Sequence, residues 1–121
     1  METFIIRLED IRFFSSIGVA EQERTVGNEF SADIAVEYDA SMFDSENLSS
    51  TISYADLYEI LKDLMSDSWL LLESVAYECA DRIITRWPTV QKIAIKITKL
   101  SAPITGIQGK CSVEYVRIPE K

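Results

Sequence analysis

Four polar side chains in this sequence interrupt the patterns around them. Lys99 has the strand parity of the three isoleucines in KIAIKITKL, so its ammonium group is directed to a face that is otherwise apolar. Glu73 is the one charge in WLLLESVA, Tyr54 opens a predicted helix, and Glu23 lies in the loop segment AEQERTVG. Together they could supply a carboxylate in an apolar setting, a partly buried lysine, a phenol and a mobile glutamate. Such groups could perform acid–base chemistry without histidine or metal.

Each of the four side chains also has a purely structural explanation. Lys99 could extend its ammonium group from the end of a strand into water. Glu73 could compensate the dipole at the start of a helix. Tyr54 could serve packing alone, and Glu23 could be an ordinary loop charge. The residue types by themselves leave both interpretations open.

The composition excludes several classes of function. The chain has no histidine, which excludes histidine-based zinc sites, catalytic triads and histidine acid–base pairs, so any proton transfer must use Lys, Glu, Asp, Tyr or Cys. A net charge of −8 argues against binding nucleic acid. The start METFIIRLED carries acidic residues and no long apolar run, so neither secretion nor membrane association is expected. Cys79 and Cys111 lack a Cys-x-x-Cys spacing, which is typical of reduced core residues in a cytoplasmic protein.

Four segments have the pattern of β-strands. The clearest is 28–40, where apolar residues alternate with polar ones; the apolar set is Phe30, Ala32, Ile34, Val36 and Tyr38. The other predicted strands cover 4–14, 91–99 and 109–118, and a loop containing Gly18 and Gly27 joins the first two strands. The polar side of the resulting sheet would carry Glu29, Asp33, Glu37, Lys92 and Lys96.

Two helices are predicted between the second and third strands. Ser53 is an N-cap candidate for the first helix, with Asp56 three residues later. Ser68 could cap a second helix over 69–87, which Pro88 would end. Its buried stripe would consist of Leu72, Val75, Ala76, Cys79, Ala80 and Ile83. The 121 residues therefore predict one α+β domain over 1–121, with a ββααββ order and a four-stranded, largely antiparallel sheet that has both helices on one face.

Four segments of the chain resemble the dihydroneopterin aldolase family of folate biosynthesis. They are SIGVAEQER after the first strand, TISYADL at the first helix, LLESVA at the second helix, and ITKLSAPITG after the third strand. They occur in the family's order and span nearly the whole sequence. The resemblance implies the tunnelling fold, a ββααββ unit whose subunits join their sheets into a ring barrel, as a tetramer or a stacked octamer with sites between subunits.

The resemblance also implies roles for individual residues. Glu73 would anchor the pterin by accepting two hydrogen bonds from its 2-amino group and the adjacent ring N–H, with Leu72 beside it. Tyr54 would reach the site from the neighbouring subunit. Lys99 would be the catalytic lysine that shuttles protons, tuned by Glu23.

The implied reaction is a retro-aldol cleavage that needs no metal, no other cofactor and no Schiff base. The substrate would be 7,8-dihydroneopterin, and the products 6-hydroxymethyl-7,8-dihydropterin and glycolaldehyde. An epimerase side activity is compatible with the same groups.

Two segments depart from the family's pattern. FSSIG at 14–18 stands where many aldolases have Tyr-Gly-x-His-Gly, and APITG at 102–106 stands where many have Pro-Pro-Ile-Pro-Gly. Neither departure removes one of the acid–base groups. Two alternatives stay open on the sequence: a dihydroneopterin triphosphate 2′-epimerase, and a non-catalytic ring module that only binds a pterin.

Overall fold

The computed structural model describes residues 1–101, 106 and 108–120, and its elements follow the predicted order with one short helix added. The strands are β1 (Thr3–Ser15), β2 (Asn28–Asp39), β3 (Val90–Lys99) and β4 (Cys111–Arg117). The helices are α1 (Glu21–Val26), α2 (Tyr54–Met65) and α3 (Leu72–Arg86), and a 3₁₀ turn covers Leu48–Ser50. The segment APITG, apart from Gly106, lies outside the described residues.

The strands form one antiparallel sheet in the order β1-β2-β3-β4, which confirms the predicted α+β class and ββααββ order. The alternation predicted for β2 is confirmed as well, because its five apolar side chains are all buried. On the opposite face, Asp33 pairs in register with Lys96, and Glu37 with Lys92. Ser31 on that face is also buried, and its hydroxyl donates to Asp10 Oδ1 at 2.6 Å.

The helices α2 and α3 supply the second half of the core. The predicted stripe of α3 is confirmed, since all six of its residues are buried. On α2 the buried residues are Leu57, Leu61, Leu64 and Met65, which join the apolar side chains of β2 and β3 in one cluster. Burying each such side chain contributes roughly 1.5–3 kcal/mol. This packing fixes the first turn of α3, where Leu72 and Glu73 lie.

The beginnings of the two long helices differ in how well the sequence predicted them. Ser53 caps α2 as predicted, with its side chain accepting a hydrogen bond from the Asp56 amide at 3.4 Å. The prediction that Ser68 caps the second helix is wrong. The Ser68 hydroxyl donates to the Ser16 carbonyl at 3.0 Å, and α3 begins only at Leu72, without a side-chain cap. The Ser68 hydroxyl bonds a distant carbonyl and is therefore not used to cap the helix.

The loop predicted between β1 and β2 is partly wrong too, because residues Glu21–Val26 form α1. None of its residues is buried, so it has no apolar stripe from which a periodicity could have been detected. Its C-cap is Gly27, whose φ of 81° favours glycine.

Both cysteines are free thiols, as the sequence predicted. Cys79 is buried in α3, and burial raises the pKa of its thiol to about 12. Among the residues that the structure describes, no helix is both long enough and apolar enough to cross a membrane.

Candidate active site

Lys99 is the last residue of β3 and lies on the apolar side of the sheet. It is paired in register with Phe30 on β2 and with Cys111 on β4. Its parity is the one that the sequence predicted, and the residue is only 9% exposed. An ammonium group that is this strongly desolvated requires a partner.

Glu23 on α1 is that partner. The Lys99 ammonium donates to Glu23 Oε2, and the two side chains are 11% and 19% exposed. The other carboxylate oxygen, Oε1, accepts a hydrogen bond from the Ala20 amide at 3.3 Å. The carboxylate is therefore held between the end of β3 and the backbone that leads into α1.

The ion pair also changes the acidity of the glutamate. The hydrogen bond from Lys99 holds the pKa of the Glu23 carboxyl below its ordinary value of 4.5, against the opposing effect of burial. The Ala20 amide and the charge of Arg24 lower this pKa further. Glu23 is accordingly a carboxylate at neutral pH and can accept a proton only when its contact with Lys99 changes.

Gly18 makes the approach of Glu23 possible. A Cβ added at Gly18 would lie 2.5 Å from both Cβ and Cδ of Glu23 and 2.6 Å from its Oε2. The Glu23 Cβ is fixed by the helix backbone and cannot rotate away. A glycine is thus required here by close contact with the glutamate.

Residues 16–18, which we call the strap, are bonded to the turn before α3. Ile17 and Trp69 form a parallel bridge, in which the Gly18 amide donates to the Trp69 carbonyl at 3.0 Å and the Trp69 amide donates to the Ser16 carbonyl at 3.2 Å. Ile17 is fully buried. The strap therefore connects the Glu23 environment to the segment that leads into α3.

Leu72 and Glu73 form the first turn of α3, which begins three residues later than the predicted helix, and their environments differ. Leu72 is 8% exposed and belongs to the core, whereas Glu73 is exposed. Among the described residues, the Glu73 carboxylate has no hydrogen bond or ion pair. A free carboxylate next to an apolar surface could accept hydrogen bonds from a planar ligand.

Tyr54 is not brought to the Glu23–Lys99 pair within one chain by any described contact. It is the first residue of α2, directly after its cap Ser53, and is 66% exposed. In the part of the chain that the structure describes, its hydroxyl has no hydrogen-bond partner.

Two depressions on the surface differ in the chemistry that lines them. One of about 310 Å³ lies beside Glu23 and is lined also by Ala20, Gln22 and Val26. Another of about 180 Å³ lies on the polar face of the sheet and contains none of the predicted site residues. Of the five predicted site residues, only Glu23 lines the first depression, so we assign the candidate site to the Glu23–Lys99 ion pair itself, beside which this depression lies. No cluster of three or more metal-ligating side chains occurs in residues 1–101, 106 and 108–120.

Sequence reasoning missed two residues beside the ion pair. The sequence predicts Gly18 only as a loop residue and indicates no role for Arg24. The Arg24 guanidinium Nη1 donates to the carbonyls of Gly18 and Val19, each at 2.8 Å. The only signal in the sequence is a glycine five residues before a glutamate. This spacing does not predict a close contact, because the contact depends on the path of the loop between the two residues.

Comparison with known proteins identifies relatives over nearly the whole chain. A family model described as dihydroneopterin aldolase matches residues 6–116, a range that includes all five predicted site residues. The dihydroneopterin aldolase of Methylorubrum extorquens is 32% identical over 93% of this chain and 88% of its own length. That of Bacillus subtilis is 29% identical over 93% of this chain and 95% of its own length. The structure of E. coli dihydroneopterin aldolase in complex with neopterin superimposes with a TM-score of 0.82 at 25% identity, covering 94% of this chain and 98% of that chain.

The first prediction concerns the pH dependence of the ion pair. Lys99→Met leaves the largely shielded Glu23 carboxylate without its partner, so the free energy of unfolding near pH 7 should fall by roughly 1–3 kcal/mol. In the wild type the pKa of Glu23 is lowered, so its stabilising contribution is full above about 4.5 and is lost as the pH falls through the folded-state value. The deficit of Lys99→Met should therefore shrink in acid, as measured by denaturant unfolding across pH.

The matched control is Lys99→Met combined with Glu23→Gln, which has no charge at either position. For this double variant, the loss in free energy of unfolding relative to the wild type should not depend on pH in the way expected for Lys99→Met alone. An equal loss for Lys99→Met at both ends of the pH range would show that packing, and not the ion pair, determines the effect.

Proposed function

This chain belongs to the dihydroneopterin aldolase family of folate biosynthesis, and we propose that it cleaves 7,8-dihydroneopterin at a site built around Lys99 and Glu23. The tunnelling fold predicted from the sequence is confirmed by the similarity to the E. coli enzyme. The observation that carries the site assignment is the Glu23–Lys99 ion pair, which is largely shielded from water. Packing alone does not require a lysine on the apolar face of the sheet, so we assign these two charges to the reaction.

The reaction breaks the C1′–C2′ bond of the substrate side chain. A base removes the proton of the 2′-hydroxyl, C2′ becomes the aldehyde carbon of glycolaldehyde, and the electron pair of the broken bond passes to C1′. The C=N bond of the dihydropterin ring at C6 is conjugated with C1′ and accepts this pair. Protonation of C1′ then gives 6-hydroxymethyl-7,8-dihydropterin. Because the substrate contains its own electron sink, the protein must supply only proton transfer and orientation.

Lys99 and Glu23 are the groups we assign to proton transfer. The ammonium group of Lys99 donates to the carboxylate of Glu23, so a shift in that contact changes the acidity of the Glu23 carboxyl. Lys99 acts directly or through an ordered water and forms no covalent bond to the substrate. Both side chains are largely shielded from water. Few water molecules would therefore compete for the charge that develops on the 2′-oxygen.

Glu73 and Leu72 are the residues we assign to binding the pterin. The carboxylate of Glu73 can accept two parallel hydrogen bonds from the 2-amino group and the adjacent ring N–H. Leu72 provides an apolar neighbour at the same helix start. The neopterin complex of the E. coli relative supports a pterin as the ligand class.

Tyr54 enters this proposal as a residue of the neighbouring subunit. Its exposed position at the start of α2 is suited to contact across an interface, where its hydroxyl would assist at the developing alkoxide or at C1′. The outer edges of β1 and β4 have no strand partner among the described residues, so subunits can join there into a ring, either a tetramer or a stacked octamer. The free thiols Cys79 and Cys111 fit a reducing, cytoplasmic location.

The central test is turnover of 7,8-dihydroneopterin beside that of its triphosphate. Lys99→Ala should lower kcat by about 10²–10⁴, the usual contribution of a general acid–base group, and leave pterin affinity nearly unchanged. Lys96→Ala is the matched control, because Lys96 lies on the same strand with its side chain exposed on the opposite face. Preferred epimerisation of the triphosphate, or pterin binding without turnover of either compound, would contradict the proposed reaction.

A second test addresses the pterin anchor. Glu73→Gln keeps the shape of the side chain but places an amide donor where the pterin presents donors, which should cost about 2–4 kcal/mol of binding. Calorimetric titration with neopterin measures the loss, and thermal stability should change little because Glu73 is exposed. The control is Glu59→Gln, the same change at an exposed position of α2. Unchanged affinity in Glu73→Gln would remove the residue from the site.

A third test asks whether Tyr54 acts across a subunit interface. Tyr54→Phe and Lys99→Ala chains, each poorly active alone, should regain activity when they are unfolded together and reassembled, because some sites then combine an intact Tyr54 with an intact Lys99. Mixtures of separately refolded proteins serve as the control. Mixed assemblies no more active than their parents would show that both residues act within one chain.

A further inference from the structure

We propose that Arg24 is a positioning residue for the reaction, holding the Glu23 carboxylate against Lys99 by tying α1 to the strap. The proposal rests on the proposed function for its kinetic readout, and on the contacts around Arg24 for its physical basis.

The contacts of Arg24 join two segments that are otherwise held together weakly. Its Nη1 donates to the carbonyls of Gly18 and Val19, both at 2.8 Å. A guanidinium group that bonds two successive carbonyls fixes both the position and the direction of that backbone. Arg24 directly follows Glu23 in α1, so this bond fixes the helix relative to the same backbone.

The short helix needs such a tether. It has six residues, an N-cap (Ala20) whose own side chain offers no acceptor, and no buried residue. An isolated helix of this length is not stable in water, because the cost of nucleation is not recovered by so few hydrogen bonds. Its position must therefore depend on contacts outside the helix, and among the described residues the side-chain hydrogen bonds that leave it are made by Arg24 and Glu23.

The backbone that Arg24 holds is the surface on which Glu23 rests. The Glu23 side chain lies so close to Gly18 that no Cβ could be placed between them. The strap is fixed in turn by its bridge to Trp69, in the turn that precedes α3. Arg24 thus connects α1 to the part of the fold that is already rigid, and the Glu23 carboxylate is directed at Lys99 as a result.

The first measurement is steady-state kinetics with 7,8-dihydroneopterin. Arg24→Ala should lower kcat by roughly 10-fold to 100-fold, as expected for misplacement of a reacting group, and leave KM and the dissociation constant for neopterin nearly unchanged. Arg12→Ala is the matched control, since Arg12 is an exposed arginine ion-paired with Asp10 on β1. It should leave kcat at the wild-type value.

A double-mutant cycle separates positioning from a general loss of stability. If Arg24 acts through Glu23, then Arg24→Ala should cost little further activity in a Glu23→Ala background. Independent, multiplying losses would overturn the proposal. So would a fall in kcat that is matched by loss of assembly, as judged by thermal unfolding and the size of the particle in solution.

A readout that does not depend on activity is the NMR titration of the Glu23 carboxyl carbon. The charged groups that act on this carboxyl are Lys99 from β3 and Arg24 from α1. Arg24→Ala should raise the pKa of Glu23, both because the charge of Arg24 is lost and because the contact with Lys99 loosens. Arg24→Lys keeps the charge on a shorter side chain that cannot reach the same two carbonyls. Its kcat should therefore resemble that of Arg24→Ala, and its Glu23 pKa should still lie above the wild-type value, because only the direct effect of the charge is kept.

The outcomes distinguish this inference from the proposed function. Full restoration by Arg24→Lys would show that the charge and not the tether matters, and would overturn the inference while leaving the aldolase reaction intact. Wild-type protein that fails to turn over the substrate would overturn the proposed function, and the carboxyl titration would still decide whether Arg24 positions Glu23.

Discussion

The structure depends on one electrostatic constraint, which is the burial of the Lys99 ammonium on the apolar side of the sheet. A desolvated cation at the end of β3 is unfavourable without an anionic partner, and Glu23 is that partner, 76 residues away in the sequence. This pairing explains why a short, unburied helix follows β1, and why Gly18 must lack a side chain. The same pair that stabilises the fold locally is the acid–base device we assign to the reaction.

Around this ion pair the structure has two parts: helices that pack on the sheet, and a segment that is held mainly by hydrogen bonds. The helices α2 and α3 pack on the sheet through fully apolar stripes, and they fix the first turn of α3 with Leu72 and Glu73. The segment from the strap to α1 has little core of its own and is held by hydrogen bonds to Trp69 and by Arg24. This division suits a binding residue on a rigid element and a proton-transfer residue on an adjustable one.

The sequence predicted the regular elements well where a single physical pattern determined them. The alternation in β2 and the six-residue stripe of α3 each follow from burial of one face, and both are confirmed. Predictions failed where a distant segment competed for a local group. Ser68 has the features of a helix cap, but its hydroxyl bonds the Ser16 carbonyl, and α1 has no apolar periodicity to reveal it. The assignments of all five predicted site residues to a pterin site stay predictions.

The sequence by itself determined the class of fold, the inward direction of Lys99 and the absence of histidine chemistry, because these depend on parity, periodicity and composition. Only the tertiary structure decided which carboxylate meets the lysine and what holds it there. Gly18 and Arg24 carry no pattern of their own, and their roles arise from the approach of a loop and a strand end that are far apart in the chain. Such contacts are set by the packing of the whole domain, which no local stretch of sequence encodes.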